Sequence, residues 1–282
     1  MRAQRGAALV LVMWLVALLA AVIGAYAATS RIEYMQGRVL HGAVIAESAA
    51  RAGLEYALVR VQSRVPEDAW IPDGRPYRWQ FGAAEVEVRI VDESGKVDLN
   101  AADLDLLTGL FAAVGIEGAD AEALAAAVVD WRDADELTQP LGGAEDPQYA
   151  AAGLPYGAKD APFETVAELE QVLGVDREVF TAVEPWLTVF SGMPQPDRRF
   201  AGGPVLQALG LDPLVVEAQR EAGGLDAPDL VGAGTGTYSI DSRARLADGR
   251  QSVLRAVVRA GGGGLPGSAY LPLQWEEGAT PR

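Results

Sequence analysis

The chain contains no cysteine among its 282 residues. Disulfides, thiolate nucleophiles and Cys-ligated zinc or iron–sulfur centres are therefore excluded. The only histidine is His41, which leaves Ser-His-Asp catalysis and multi-histidine metal sites almost nothing to work with. Ser191 and Ser239 have no base nearby in the sequence. Gly232-x-Gly234-x-Gly236 does not sit between a strand and a helix, as a dinucleotide-binding glycine motif must. His41 falls among small residues of a helical pattern and reads as a packing or exposed histidine.

Positive charge is also scarce, and unevenly so. Lys and Arg total 23 against 39 Asp and Glu, for a formal net charge of −16. Residues 1–91 carry ten basic and eight acidic side chains, residues 92–186 four and twenty-one, and residues 187–282 nine and ten. Nearly all the excess sits in the middle third, which argues against a nucleic-acid partner. Val97-Asp98-Leu99-Asn100-Ala101-Ala102 is similar to the opening of helix-hairpin-helix units, which often hold DNA backbone through amides and basic side chains. Here the surroundings are acidic, only Lys96, Arg132, Lys159 and Arg177 are basic, and no Pro-Gly hairpin follows. A structural helical module is the favoured reading.

Proline is missing from the first 65 residues. Arg2 and Arg5 precede an uncharged run, Ala7–Ser30, of which Ala7–Ala28 is rich in Leu, Val and Ala. At about 1.5 Å per residue it can cross a hydrocarbon layer about 30 Å thick. The basic flank places the N-terminus in the cytoplasm and the rest across the inner membrane. The run is long for a removable signal, although Ala25-Tyr26-Ala27 offers an A-x-A cleavage site. From Ile32 to Val61, Met35, Val39, Ala43, Ala46, Ala50, Leu54, Ala57, Leu58 and Val61 recur at helical spacing. One helix to about Arg64, ended by Pro66, is predicted.

Beyond it, Tyr77–Phe81 and Glu85–Val91 read as a β-hairpin, with Val86, Val88 and Ile90 on a buried face. Tyr238–Ala244, Ser252–Ala260 and Ala269–Trp275 are further strands, with turns at Gly249 and Gly261–Gly264. Between the two sets lie about 140 residues of helical pattern. Asn100 is placed as the cap of a helix opening at Ala101, with Asp103 in its first turn. Ala119–Arg132, Phe163–Leu173, Val179–Leu187 and Pro204–Ala222 are further helices, the last interrupted by Pro213. The fold class is α+β: a long N-terminal transmembrane helix packed on a small antiparallel sheet, with a large all-helical insertion. The expected divisions are 1–6, 7–28 (membrane), 29–65 (rest of the long helix), 66–95 with 236–282 (sheet), and 96–235 (helical insertion).

Asp130, Asp133, Asp135, Glu136, Glu145 and Asp146 place six carboxylates within seventeen residues. Such groups repel unless neutralised, and Ca²⁺ takes 6–8 oxygen ligands from flexible loops. Leu137–Ala144, with Pro140, Gly142 and Gly143, is a loop able to fold round an ion. The spacing is not that of an EF-hand, because Leu137 stands where a third Asp or Asn is required. The pattern alone leaves a calcium site and a solvated acidic loop both open. Paired carboxylates also occur in hydrolases, but no adjacent base or aromatic cleft pattern supports one here.

A short basic leader ending in Gly6, followed by an uncharged helix starting Ala7-Ala8-Leu9, resembles type IV pilins and pseudopilins. In these a prepilin peptidase cuts after the glycine and methylates the new N-terminus, here Ala7. Ordinary members carry Glu five residues after the cut, where this chain has Leu11. The K-type minor pseudopilins of type II secretion systems lack that Glu. They are also similar in length, in their acidic helical middle and in VDLNAADLDLL, DWRDADE and GAEDPQY. The resemblance covers nearly the whole chain. It implies a non-enzymatic assembly subunit at the tip of a pseudopilus that drives export of folded proteins across the outer membrane. The implied partners are the minor pseudopilins I, J and H, the prepilin peptidase and the inner-membrane assembly platform, with no nucleic acid. The implied location is a single inner-membrane span with a periplasmic body. The resemblance also implies Ca²⁺ as cofactor. Asp133, Asp135, Glu145 and Asp146 are the preferred ligands, with Asp130 and Glu136 as further candidates, Asp130 the less favoured because its place on the preceding helix can turn it away. The rival reading is a signal-anchored periplasmic enzyme or calcium-dependent binding protein.

Overall fold

The computed structural model describes residues 5–63, 65, 67–116, 118–221, 235–261 and 269–278. Gly232, Gly234 and Gly262–Gly264 lie outside them, as do the side chains of Ala7, Met35 and Val39. Helix α1 runs unbroken over Arg5–Val61, about 85 Å long. It ends three residues before Arg64. Trp70 N–H donates to the Arg60 carbonyl (3.1 Å), and the Arg60 guanidinium meets Asp68 at 2.7 Å. The chain thus folds back and satisfies an end carbonyl that has no partner within the helix. Leu9–Ala27 is long and apolar enough to cross a membrane, and none of it is buried within the protein.

Five antiparallel strands form one sheet in the order β1-β2-β5-β6-β7: β1 (Asp73–Phe81), β2 (Ala84–Asp92), β5 (Thr237–Leu246), β6 (Gln251–Ala260) and β7 (Tyr270–Glu277). The alternation in β2 is as expected: Val86, Val88 and Ile90 are fully buried. They meet Ile240, Leu254 and Val258 of the neighbouring strands and Ala50, Leu54, Ala57 and Val61 of α1. Small residues let helix and sheet approach closely. At Gly53 a Cβ would collide with the Ser242 hydroxyl and come within 2.8 Å of a Val86 methyl. Burying one such leucine or isoleucine is worth roughly 1.5–3 kcal/mol. β1 begins earlier than the sequence pattern, with an irregular register between Asp73 and Pro76, because an edge strand tolerates proline.

The chain between β2 and β5 forms a second core around Leu107, Leu110, Val128, Trp131, Tyr149 and Leu206. A two-residue parallel pair, β3 (Val97–Asp98) with β4 (Leu187–Thr188), closes its neck. Helices α2 (Leu104–Ala113), α3 (Ala119–Arg132), α4 (Asp146–Ala151), α5 (Arg177–Val183), α6 (Gly203–Ala208) and α7 (Pro213–Glu221) surround that core. Several expectations are corrected here. The cap of α2 is Asp103, whose carboxylate accepts from Leu106 N–H at 2.9 Å. Asn100 instead clamps the Phe163 backbone from both sides, at 2.7 and 2.9 Å. Residues 163–173 contain only a 3₁₀ stretch, Val166–Gln171. Pro185 ends α5 early in a 3₁₀ turn, Glu184–Trp186. The 204–222 helix divides into α6 and α7 at Gly210, whose φ of 71° is left-handed. Helix α4 and the β3–β4 pair are too short to show a period.

Candidate functional site

The acidic centre is built from the end of α3 and two following loops. Asp133 is the C-cap residue of α3. The chain then turns through an exposed segment in which Leu137 N–H donates to Asp135 at 2.9 Å. It returns at Gly142, whose left-handed φ of 103° only glycine adopts without strain. Asp130 does not face away. Its carboxylate turns under this loop and accepts from Gln139 N–H at 3.2 Å. At Gly143 a Cβ would collide with that carboxylate. Glu145 caps α4, with its own N–H held by Gln148 at 3.1 Å.

Electrostatics single out Glu145, which is 3% exposed. Burial, then the charges of Asp130, Asp133, Asp160 and Asp135, push its carboxyl up to about 7. Burial also raises Asp130 and Asp133, helped in both cases by neighbouring aspartates. One oxygen of Glu145 and one of Asp133 are buried with no hydrogen-bond partner. Orphaned buried oxygens beside like charges are costly, and a hard oxygen-seeking cation answers both penalties.

Of the expected ligands, Asp133, Asp135 and Glu145 share this field, and Asp130 joins them. Glu136 is exposed on the outer loop. Asp146 is exposed, and its carboxylate lies against Gly157, where a Cβ would overlap it. Asp160 was missing from the expected set. It sits in the 152–165 loop with a left-handed φ of 53°, and only the fold brings it near. Among the described residues no three carboxylates close on one point, so this is a convergence of charge whose oxygen donors fit Ca²⁺, not a formed cage.

The serines set aside above are structural. Ser191 donates to Asp98 at 3.0 Å. Ser239 donates to Glu93 and accepts from Lys96 at 2.6 Å, while Lys96 pairs with Glu93 at 2.7 Å. Thr188 also donates to Glu93. This buried knot ties β5 of the sheet to β4 at the neck. His41 is exposed on α1.

Leu11 lies in the apolar stretch of α1 and is 70% exposed. The backbone runs helically through Gly6–Ala7.

Residues 88–192 match the family described as type II secretion system (T2SS), protein K. The chain is 25% identical, over 270 aligned positions and 80% of each chain, to the type II secretion system protein K of Pseudomonas aeruginosa. It is 36% identical to the Pectobacterium carotovorum protein K over 74 residues, 26% of this chain and 22% of that one. In fold it is similar to a chain from the crystal structure of the GspK–GspI–GspJ complex of the enterotoxigenic Escherichia coli type 2 secretion system. That match has a TM-score of 0.59 and 15% identity, and covers 87% of this chain and 100% of that one.

Proposed function

We infer that this chain is a member of the type II secretion system protein K family, a minor pseudopilin that starts pseudopilus assembly. The observation that carries this is one continuous helix, apolar and unburied over Leu9–Ala27 and packed on an antiparallel sheet beyond it, joined to a domain matching the protein K family. A single inner-membrane span with the body in the periplasm suits that helix, since Arg2 and Arg5 flank its N-terminal side. The chain similar in fold comes from a GspK–GspI–GspJ complex, and minor pseudopilins I and J are the proposed partners here, with H below them. Prepilin peptidase cutting between Gly6 and Ala7, methylation of Ala7 and delivery by the inner-membrane assembly platform complete the proposal. The role is assembly, not catalysis.

Leu11 supplies a physical reason for a tip position. In a helical fibre the free amine of each subunit lies in an apolar bundle and needs a compensating charge. An incoming subunit with Glu at that position meets the amine of the subunit above it. A subunit with Leu11 offers no carboxylate and fits where nothing lies above. Leu11→Glu puts a charge at membrane depth that costs about 2.5–3.5 kcal/mol unless it finds a partner. Secretion of a native substrate, with crosslinking from position 11 to the first residue of other pseudopilins, tests this. Lost initiation, or a new crosslink to a subunit above, is expected. Normal secretion with no new crosslink would remove positional meaning from Leu11.

Calcium is the proposed cofactor. Asp130, Asp133, Glu145 and Asp160 would hold it, with Asp135 and Asp146 at the margin. Bound there, the ion would cancel the mutual repulsion of these carboxylates and tie the end of α3 to α4 and the 152–165 loop.

A further inference from the structure

The two edges of the sheet differ. β7, at one end, is guarded against further pairing by Pro272, a register break at Val257 and Val258, and the acidic pair Glu276 and Glu277. β1, at the other end, has proline only at Pro76, and Tyr77–Phe81 pairs with β2 without a break. The two-residue turn Gly82–Ala83 makes Phe81 and Ala84 its closing hydrogen-bonded pair, so Trp79–Val86 and Tyr77–Val88 are hydrogen-bonded pairs too. The N–H and C=O groups of Arg78 and Gln80 therefore point away from β2, over the outer edge. Pro76 falls at an outward position of the same alternation, where its missing N–H costs the sheet nothing. Among the described residues no backbone hydrogen bond reaches Arg78 or Gln80 from elsewhere in the chain. The Arg78 guanidinium does not guard the edge, because Glu87 of β2 draws it inward at 2.8 Å.

The alternate side chains of this strand form an aromatic row on the α1 side. The ring of Tyr77 stacks on Trp70 at 4.2 Å, Trp79 lies 4.5 Å from Tyr56 of α1, and Phe81 lies 5.6 Å from Trp79. These contacts hold the rings in place, yet Tyr77 and Trp79 remain half-buried and Phe81 is 44% exposed. Their spacing of two residues is that of a strand. A strand added about 4.8 Å away would set its own alternate side chains against them.

We propose that the β1 edge takes up an extended segment of a partner protein as a sixth strand. Its backbone pairs with Arg78 and Gln80, and its alternate apolar side chains lie along Tyr77, Trp79 and Phe81. The occupant is an extended polypeptide because the edge offers backbone donors and acceptors at strand spacing. It is apolar on one face because the row it meets is aromatic. Neither the apolar span of α1 nor the acidic centre takes part, so this site goes beyond the assembly reading and stands independently of it.

The test uses the full chain in detergent and a labelled octapeptide of alternating threonine and valine. The control is the same peptide N-methylated at its two central residues, which blocks one hydrogen-bonding position on each of its edges. The unmethylated peptide should bind saturably and slow amide hydrogen exchange at Arg78 and Gln80. Gln80→Pro removes an N–H that the sheet does not use, and should weaken binding about tenfold. Gln80→Ser keeps that N–H and should bind as the wild type does, while Phe81→Ser should bind more weakly. Unchanged melting midpoints show that these variants are folded, and the methylated peptide asks the same question of the wild type should Gln80→Pro not fold. Three results would overturn the proposal: no saturable binding, equal binding of the methylated peptide, or protection from exchange that falls on β7 and not on Arg78 and Gln80. Protection at Arg78 and Gln80 that grows with protein concentration in the absence of peptide would assign the edge to a second copy of this chain and equally overturn it.

Discussion

Glu145 is buried at 3% exposure, carries an oxygen without a hydrogen-bond partner, and has its carboxyl pushed up to about 7 by burial and four aspartates. Raised above its ordinary value near 4.5, the group favours the folded state when protonated. Without a cation, that contribution is complete below about 4.5 and is lost as pH rises through about 7. A bound Ca²⁺ reverses the preference, because it requires the carboxylate, so affinity should fall as pH drops below 7. Ca²⁺ at 100 times its Kd should add about 2.7 kcal/mol of stability. Thermal unfolding of the purified full chain, with Ca²⁺ and with chelator, checks this. The midpoint difference should be larger at pH 7.5 than at pH 6 and should largely vanish in Glu145→Ala combined with Asp133→Ala. An unmoved wild-type midpoint would make the centre a solvated acidic loop.

Helix α1 meets the sheet through Gly53, where the space for a side chain is already filled by Ser242 and Val86. Gly53→Leu should therefore overpack the interface and cost about 1–3 kcal/mol. Thermal unfolding of this variant beside Ala52→Leu, at a half-buried neighbour, measures the difference; equal midpoints would mean that the close approach carries no energetic weight. Elements with a long, uninterrupted period were legible from the sequence: α3 runs over Ala119–Arg132 as read, and the alternation in β2 assigned its buried face correctly. Elements shaped by tertiary partners were not. Asn100 has the chemistry of a cap, but its amide is taken by the Phe163 backbone 63 residues away. Asp130 looked outward on helical spacing alone, because nothing local shows that Gly143 leaves room beneath the returning loop. Asp160 had no spacing signal, since its approach to Glu145 depends on how the 152–165 loop closes.

At the scale of the whole molecule, a lipid-suited helix continues without a break into a sheet core, and a separate helical core joins that sheet through Glu93, Lys96, Ser239 and Thr188. Such a knot fixes how the helical core sits on the sheet. The central claim is that this chain is processed and used as a pseudopilin, not released from a signal sequence. The most direct measurement is the intact mass and N-terminal sequence of the protein extracted from membranes of a strain with a working secretion system. The account predicts a chain beginning at a methylated Ala7, and an uncut leader in Gly6→Val. A chain beginning at Ala28, or full processing of Gly6→Val, would contradict it.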